Sequence, residues 1–339
     1  MTDKAAIMQT ANSKQQTANS KQQTALLLRL KAKLKSIPFI YYSVHYLKSR
    51  YLIKIKWNLI KLFTRFNCNG LNKIEKRDKK IIVSLTSYPA RINFVPYVIA
   101  SLLRQTMKPD KIILWLADEQ FPNRKLPKIF DKLKACGVDI KFCEDLRSHK
   151  KYFFTMKEFP EDIIITFDDD VIYNNDVIET LYKSYVNHPD CVSGIRCWTM
   201  KFSPDLTVSG GKCYQSDVGH ESHKFKATGI GGIIYPPHSL HEELFNIEAM
   251  KNLCFSGDDL WLKFMEVMKG TKVVPVRNTD IPGNVPGFDI PGSQESALWH
   301  YNDVQKGNEI QCKKFLKVYN DWTVPATGKT ISEIINEGE

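Results

Sequence analysis

Four short apolar runs between residues 81 and 167 alternate with stretches of helical periodicity, and the last run ends on three consecutive aspartates. No other feature of the chain constrains its fold as much. Ile81-Ile82-Val83-Ser84-Leu85, Lys111 to Leu116, residues 138–143 and Asp162 to Phe167 read as strands, too short for buried helices. Residues 94–105, 127–135 and 150–158 read as the helices between them. Strands alternating with helices imply an α/β domain with a mostly parallel central sheet and flanking helices. Ligands of such sheets bind beyond the carboxyl ends of the strands. The tips ending at Leu85 and Phe167 are therefore where a site is expected.

After residue 190 the pattern loosens. Short β-like runs at 191–195 and 202–209 precede a glycine-rich stretch at 229–232, whose plain reading is a tight turn. A helix is expected from about 258 to 269, and residues 296–318 read as closing helices. The Pro- and Gly-rich residues 275–294 read as a long loop, of the kind that often serves as a lid or binding loop.

The charge of the chain is unevenly placed. Residues 1–80 hold 18 Lys/Arg against Asp3, Glu75 and Asp78, whereas the remainder is mildly acidic. The main domain thus gives no electrostatic support for nucleic acid as a partner. Residues 1–25 contain a perfect repeat, TANSKQQ twice over 10–23, whose only apolar residue is alanine. It has no a/d seam for a coiled coil and reads as a solvated, disordered tail. A tandem seven-nucleotide DNA unit read in frame would regenerate this heptad, so slippage that switches expression on and off is one origin and a duplicated codon block the other. Residues 26–80 form a basic extension. Between 26 and 66 there are ten Lys/Arg, no acid and many aromatic and aliphatic residues. The longest uncharged stretch, Ser36 to Leu47, is too short to span a bilayer. A helix lying on an anionic membrane surface, and a pair of helices packed on the domain, both fit it. The eight cysteines include no C-x-x-C pair and read as reduced, mostly buried thiols of a cytoplasmic protein.

Asp168, Asp169 and Asp170 crowd the loop after an apolar strand. Like charges this close repel and are costly to bury, so they call for a cation. Oxygen donors suit Mn²⁺ or Mg²⁺, and Mg²⁺ takes one or two carboxylates while leaving positions for phosphate oxygens. The bland alternative is a solvated turn or an acidic helix cap.

With these residues in view, the chain resembles the bacterial glycosyltransferases of the GT-A (nucleotide-diphospho-sugar transferase) fold, close to the inverting family 2 type of lipopolysaccharide and capsule biosynthesis. VSLTSYPARI (83–92) is similar to their opening strand and nucleotide loop, and SLLRQTMKPDKIILWL (101–116) to a following segment. FDDDV (167–171) matches their D-x-D motif, and CFSGDDLWLKFM (254–265) sits where they carry an acidic pair with the catalytic base. The order and spacing of the four motifs make the match specific. It covers about residues 81–270 of a domain expected to span 81–320, with 321–339 as a C-terminal tail.

The resemblance implies a metal-dependent, inverting transfer from a nucleotide-sugar donor, most often uridine-diphosphate-linked, to a glycan or glycolipid acceptor. Thr86, Tyr88 and Arg91 would line the nucleotide pocket, with Lys151 near the donor. Asp168 would contact the donor or the metal, Asp170 would ligate the metal, and Asp169 would serve either. A third ligand from the C-terminal part would be His300. The base lies in the pair Asp258 and Asp259, with the second acid favoured. Gly231, Gly232 and Trp261 would border the acceptor, although a core role for Trp261 is equally compatible. His238 and His241 read as a helix start. A peripheral location on the inner face of the cytoplasmic membrane would bring the enzyme to lipid-linked acceptors. The rivals are a haloacid-dehalogenase-type phosphatase, disfavoured by Ile172 and by the late position of the aspartate strand, and a catalytically dead membrane-associated scaffold.

Overall fold

The computed structural model describes residues 54–55, 57–62, 64–280, 286–293, 306–319, 321–325 and 327–337. The heptad repeat, most of segment 26–66 and His300 lie outside them. The chain divides into residues 1–62 and 63–339. In the first unit residues 57–62 are helical, and Ile55, Leu59 and Leu62, spaced four and three apart, are exposed.

In the second unit, β1 (Ile81–Thr86) lies between β2 (Lys111–Ala117) and β4 (Ile163–Phe167), and β3 (Asp139–Cys143) flanks β2, all parallel. β1, β2 and β4 are buried along nearly their whole length, which is why each reads as a continuous apolar run rather than an alternation. The helices between them are α1 (Val95–Leu102), α2 (Ile129–Ala135) and α3 (Lys150–Glu158). Pro96 opens α1, where its missing N–H costs nothing.

Beyond β4 the sheet turns antiparallel. β4 pairs with β8 (Phe225–Tyr235), β8 with β6 (Val192–Phe202), and β6 with β7 (Val208–Lys212). β9 (Val273–Pro275) adds a parallel pairing on β6. β5 (Val171–Tyr173), directly after the three aspartates, pairs with β10 (Gly287–Asp289). The helices α4 (Val177–Asn187), α5 (Ile247–Leu253), α6 (Asp258–Lys269), α7 (Gly307–Tyr319) and α8 (Ile331–Glu337) complete the domain. α6 stops at Gly270, whose φ of 82° is the left-handed cap that glycine supplies cheaply. The α/β architecture with a mostly parallel central sheet expected from the sequence is the one found.

Three features differ from the sequence reading. Residues 229–232 are not a turn but the middle of β8. There Gly232 has φ +95°, and a Cβ on it would lie 2.4 Å from the Phe167 ring, so glycine permits β8 to close on β4. Second, the cysteines are not all free: Cys68 and Cys136 form a disulfide, while the other six remain thiols. Third, segments set apart from the domain pack with it. Arg77 pairs with Asp110 at 3.0 Å. Val324, Ile331, Ile334 and Ile335 are buried in the main core. The Asn336 side chain both donates to and accepts from the Phe202 backbone, at 2.7 and 2.8 Å.

Candidate functional site

The parallel register Leu85↔Phe167 brings the tips of β1 and β4 side by side, so the segment after β1 meets the three aspartates after β4. The three carboxylates have different surroundings. Asp169 accepts from Ser87 Oγ at 2.6 Å and from Arg91 Nη1 at 2.8 Å. The same Arg91 donates twice to the Ser293 carbonyl, at 3.1 and 2.8 Å. Arg91 and Asp169 are both buried and bind each other. The pair thus clamps the segment after β1 to the Ser293 carbonyl, whereas the resemblance had Arg91 line the nucleotide pocket and Asp169 serve either the donor or the metal. Burial pushes the Asp169 carboxyl up, and Arg91 and Ser87 oppose the rise.

Asp170 is also buried, 3.1 Å from Arg91 Nη1. Burial, then the charge of Asp168, raise its pKa to about 7. Asp168 is the most open of the three. Its backbone N–H donates to Tyr173 Oη at 3.0 Å, and its carboxylate accepts from Lys151 Nζ at 3.0 Å. A Cβ on Gly229 would come within 2.5 Å of Asp168 Oδ1, so only glycine lets β8 pass this close to the carboxylate.

Lys151 joins the two halves of the site. Its ammonium, on the first turn of α3, is almost fully buried and lies 3.0 Å from Asp168 and 2.6 Å from Asp258. Burial disfavours its charge, but Asp168, Asp258 and Asp259 outweigh that and raise its pKa. Asp258 and Asp259 open α6, the favourable end of the helix dipole for acids. Burial opposes the charge of Asp258, yet Lys151 and the His149 side hold its pKa down, to about 2. Asp259 is pushed the other way, up to about 7, by burial and by the adjacent Asp258 charge. Its Oδ2 accepts from the Gly229 N–H at 3.3 Å, and Oδ1 has no partner among the described residues.

The turn before α6 is held on two sides. Buried His149 contacts Tyr152 Oη at 2.7 Å and the Cys254 carbonyl at 3.0 Å. From α7, Gln311 Oε1 accepts from the Ser256 N–H and Oγ, each at 3.2 Å.

Thr86 donates to the Trp115 carbonyl at 2.8 Å, and half-buried Tyr88 lies beside Arg91, the guanidinium 5.8 Å from its ring centre. Trp261 is no acceptor platform. It is fully buried, donates to the Leu244 carbonyl at 3.3 Å and packs edge-on against Phe315. Gly231 and Gly232 are also buried, their Cα atoms closed in by Ile195, Pro286 and Phe167, so neither borders open space. His241 caps a 3₁₀ turn through Glu243, in keeping with a helix start. Sequence reasoning missed Ser87, Gly229 and Asp289. Asp289 stands opposite Val171 in the β5–β10 pair and adds to the negative charge around Asp170. No local motif could have shown that pairing.

The donor set fits a divalent cation. Asp168 and Asp170 offer hard oxygens, and Asp168, Asp169 and Asp289 add negative charge around the buried Asp170, which Arg91 opposes. Among the described residues no three His, Cys, Asp or Glu side chains are arranged to hold an ion. A cavity of about 590 Å³ lined by Asp217, His220, Glu221 and His223 contains none of these carboxylates.

No family model matches the sequence, and no curated protein does. Solved structures similar to it include a 4-diphosphocytidyl-2C-methyl-D-erythritol synthase, at 12% identity over 64% of this chain and 97% of that one, with a TM-score of 0.39. Another is the mannosyltransferase PcManGT from Pyrobaculum calidifontis, solved with GDP-Man and Mn²⁺, at 11% identity over 84% of this chain and 76% of that one, with a TM-score of 0.45. Neither likeness carries a substrate to this chain.

Proposed function

We propose that the chain is a metal-dependent, inverting glycosyltransferase that takes a sugar from a nucleoside diphosphate, uridine diphosphate first among the candidates. The observation that carries this reading is the Lys151 bridge. One buried ammonium holds the strand-end carboxylate Asp168 beside the helix-start pair Asp258–Asp259. The loop proposed to bind the cation and a carboxylate poised near neutral pH thus stand side by side.

Asp168 and Asp170 would hold Mn²⁺ or Mg²⁺, which when bound offsets charge on the leaving diphosphate. Asp259, with an unpartnered oxygen, accepts the proton of the acceptor hydroxyl as that oxygen attacks the anomeric carbon from the face opposite the leaving group. The new C–O bond forms as the bond to the diphosphate breaks. Asp258 stays ionised against Lys151, and its charge keeps Asp259 basic. Thr86 and Tyr88, at the β1 tip, are the residues proposed to meet the nucleotide.

The acceptor is proposed to be a lipid-linked surface glycan such as lipopolysaccharide or a polyprenyl-linked oligosaccharide, reached from the inner face of the cytoplasmic membrane. The basic, acid-free segment 26–66 and the exposed Ile55, Leu59 and Leu62 support an anionic membrane surface as partner. A slippage-prone repeat would suit an exposed antigen. No described helix is long and apolar enough to cross a membrane. The test is binding and turnover with nucleoside diphosphates. Asp170→Ala should abolish transfer and Mn²⁺-dependent binding of uridine diphosphate, followed by calorimetry. Full activity of the wild type in excess EDTA would overturn the reading.

A further inference from the structure

The antiparallel half of the sheet carries a group of basic and aromatic side chains that this chemistry does not use. Trp198 on β6 stands directly opposite Lys212 on β7 and Lys226 on β8. Residues opposite one another in antiparallel strands project to the same face. Arg196, two residues before Trp198, holds its guanidinium carbon 5.3 Å from the indole centre. Thr228, opposite Arg196, donates to the Arg196 carbonyl at 3.3 Å and fixes the register there. A half-buried indole is thus set among three cations.

Among the described residues neither Arg196 nor Lys226 is in an ion pair, and Lys212 has only a solvent-exposed partner, Asp280 at 3.2 Å. The row also borders the site. Lys226 lies three residues before Gly229, whose N–H meets Asp259. Arg196 opposes the rise that burial causes in Asp289, which stands beside the Asp170 loop. Lys226 also acts on Asp259, opposing the rise that burial and Asp258 cause there.

Partly desolvated cations hold a carboxylate or phosphate by charge-assisted hydrogen bonds, and an indole presents a broad apolar face to a sugar ring. We propose that Arg196, Trp198, Lys212 and Lys226 form the acceptor subsite, and that the acceptor is a saccharide bearing a phosphate or carboxylate group. This rests on the glycosyltransferase reading and names the substrate class of its second half.

Calorimetry on the full-length protein tests it, with tetragalacturonate and α-glucose 1-phosphate as anionic probes and maltotetraose as the neutral one. Tetragalacturonate is expected to bind at least about tenfold more tightly than maltotetraose. The Arg196→Gln/Lys226→Gln double variant should lose that preference. Trp198→Leu should weaken both oligosaccharides, which separates stacking from general attraction to a basic surface. A preference for glucose 1-phosphate at equal ionic strength would identify phosphate as the recognised group, and a preference for tetragalacturonate the carboxylate. Binding of uridine diphosphate with Mn²⁺ is the internal control and should be the same in every variant. Equal affinity for charged and neutral oligosaccharides, or a double variant that retains the preference, would overturn the proposal. Loss of uridine diphosphate binding in the double variant would assign these cations to the donor and equally end it. If the wild type binds anionic saccharides but no nucleoside diphosphate, the glycosyltransferase reading fails and the acceptor role with it, while the anionic-saccharide site itself stands.

Discussion

Two adjacent aspartates at the start of α6 are held in opposite states by what lies on either side of them. Asp258 faces the Lys151 ammonium and keeps its proton off down to about pH 2. Asp259 faces that new charge and buried surroundings, and holds its proton up to about pH 7. Pairs of carboxylates driven apart in this way divide acid and base roles between them. Asp259→Asn is therefore expected to lower kcat by about 10²–10⁴ while leaving the affinity for uridine diphosphate nearly unchanged. The pH profile follows from the sign of the shift. A base must be unprotonated, so kcat should fall about tenfold per unit below pH 7 and level off above it, and the Asn variant should lose that limb. If Asp258→Asn shows this behaviour instead, the roles are reversed. The acidic pair itself was legible in the sequence as G-D-D before a helix. Which member is basic was not, because the cation that decides it comes from α3, far away in the chain.

At the scale of elements, β1, β2 and β4 were legible because each is buried along nearly its whole length and so reads as a continuous apolar run. The antiparallel half was not. β8 carries glycines where it closes on Phe167 and Asp168, and locally such a run looks like a turn; only the partners across the sheet explain it. The C-terminal helix was hidden for a similar reason. α8 is only seven residues long, and its three buried isoleucines gain their meaning from β6 and α6. Ile335→Ala is expected to cost about 2–4 kcal/mol in urea unfolding, as for other fully buried aliphatic truncations. Val318→Ala, on the exposed face of α7, should change stability by less than about 0.5 kcal/mol.

The whole molecule is electrically divided. Its first 80 residues are strongly basic, and the remainder is mildly acidic and gathers Asp168, Asp169, Asp170, Asp258 and Asp259 in one place. That division predicts orientation on an anionic bilayer, the basic end toward lipid. Full-length protein should sediment with phosphatidylglycerol vesicles at low salt, be released as salt shortens the Debye length, and fail to bind once residues 1–66 are deleted. Protein that stays in the supernatant at low salt would remove the basis for a lipid-linked acceptor.

The Arg91 clamp has a consequence for biosynthesis. The four parallel strands are complete once residue 167 has been made, and they can assemble as the chain emerges. The clamp cannot. Arg91 reaches the carbonyl of Ser293, 202 positions further along, and closing so long a loop is among the last events of folding. A nascent chain would therefore present the parallel half of the sheet before the Asp169 clamp is closed, and would close it only once residue 293 had left the ribosome. The carboxylates after β4 would thus be set in their final surroundings well after the strand that carries them.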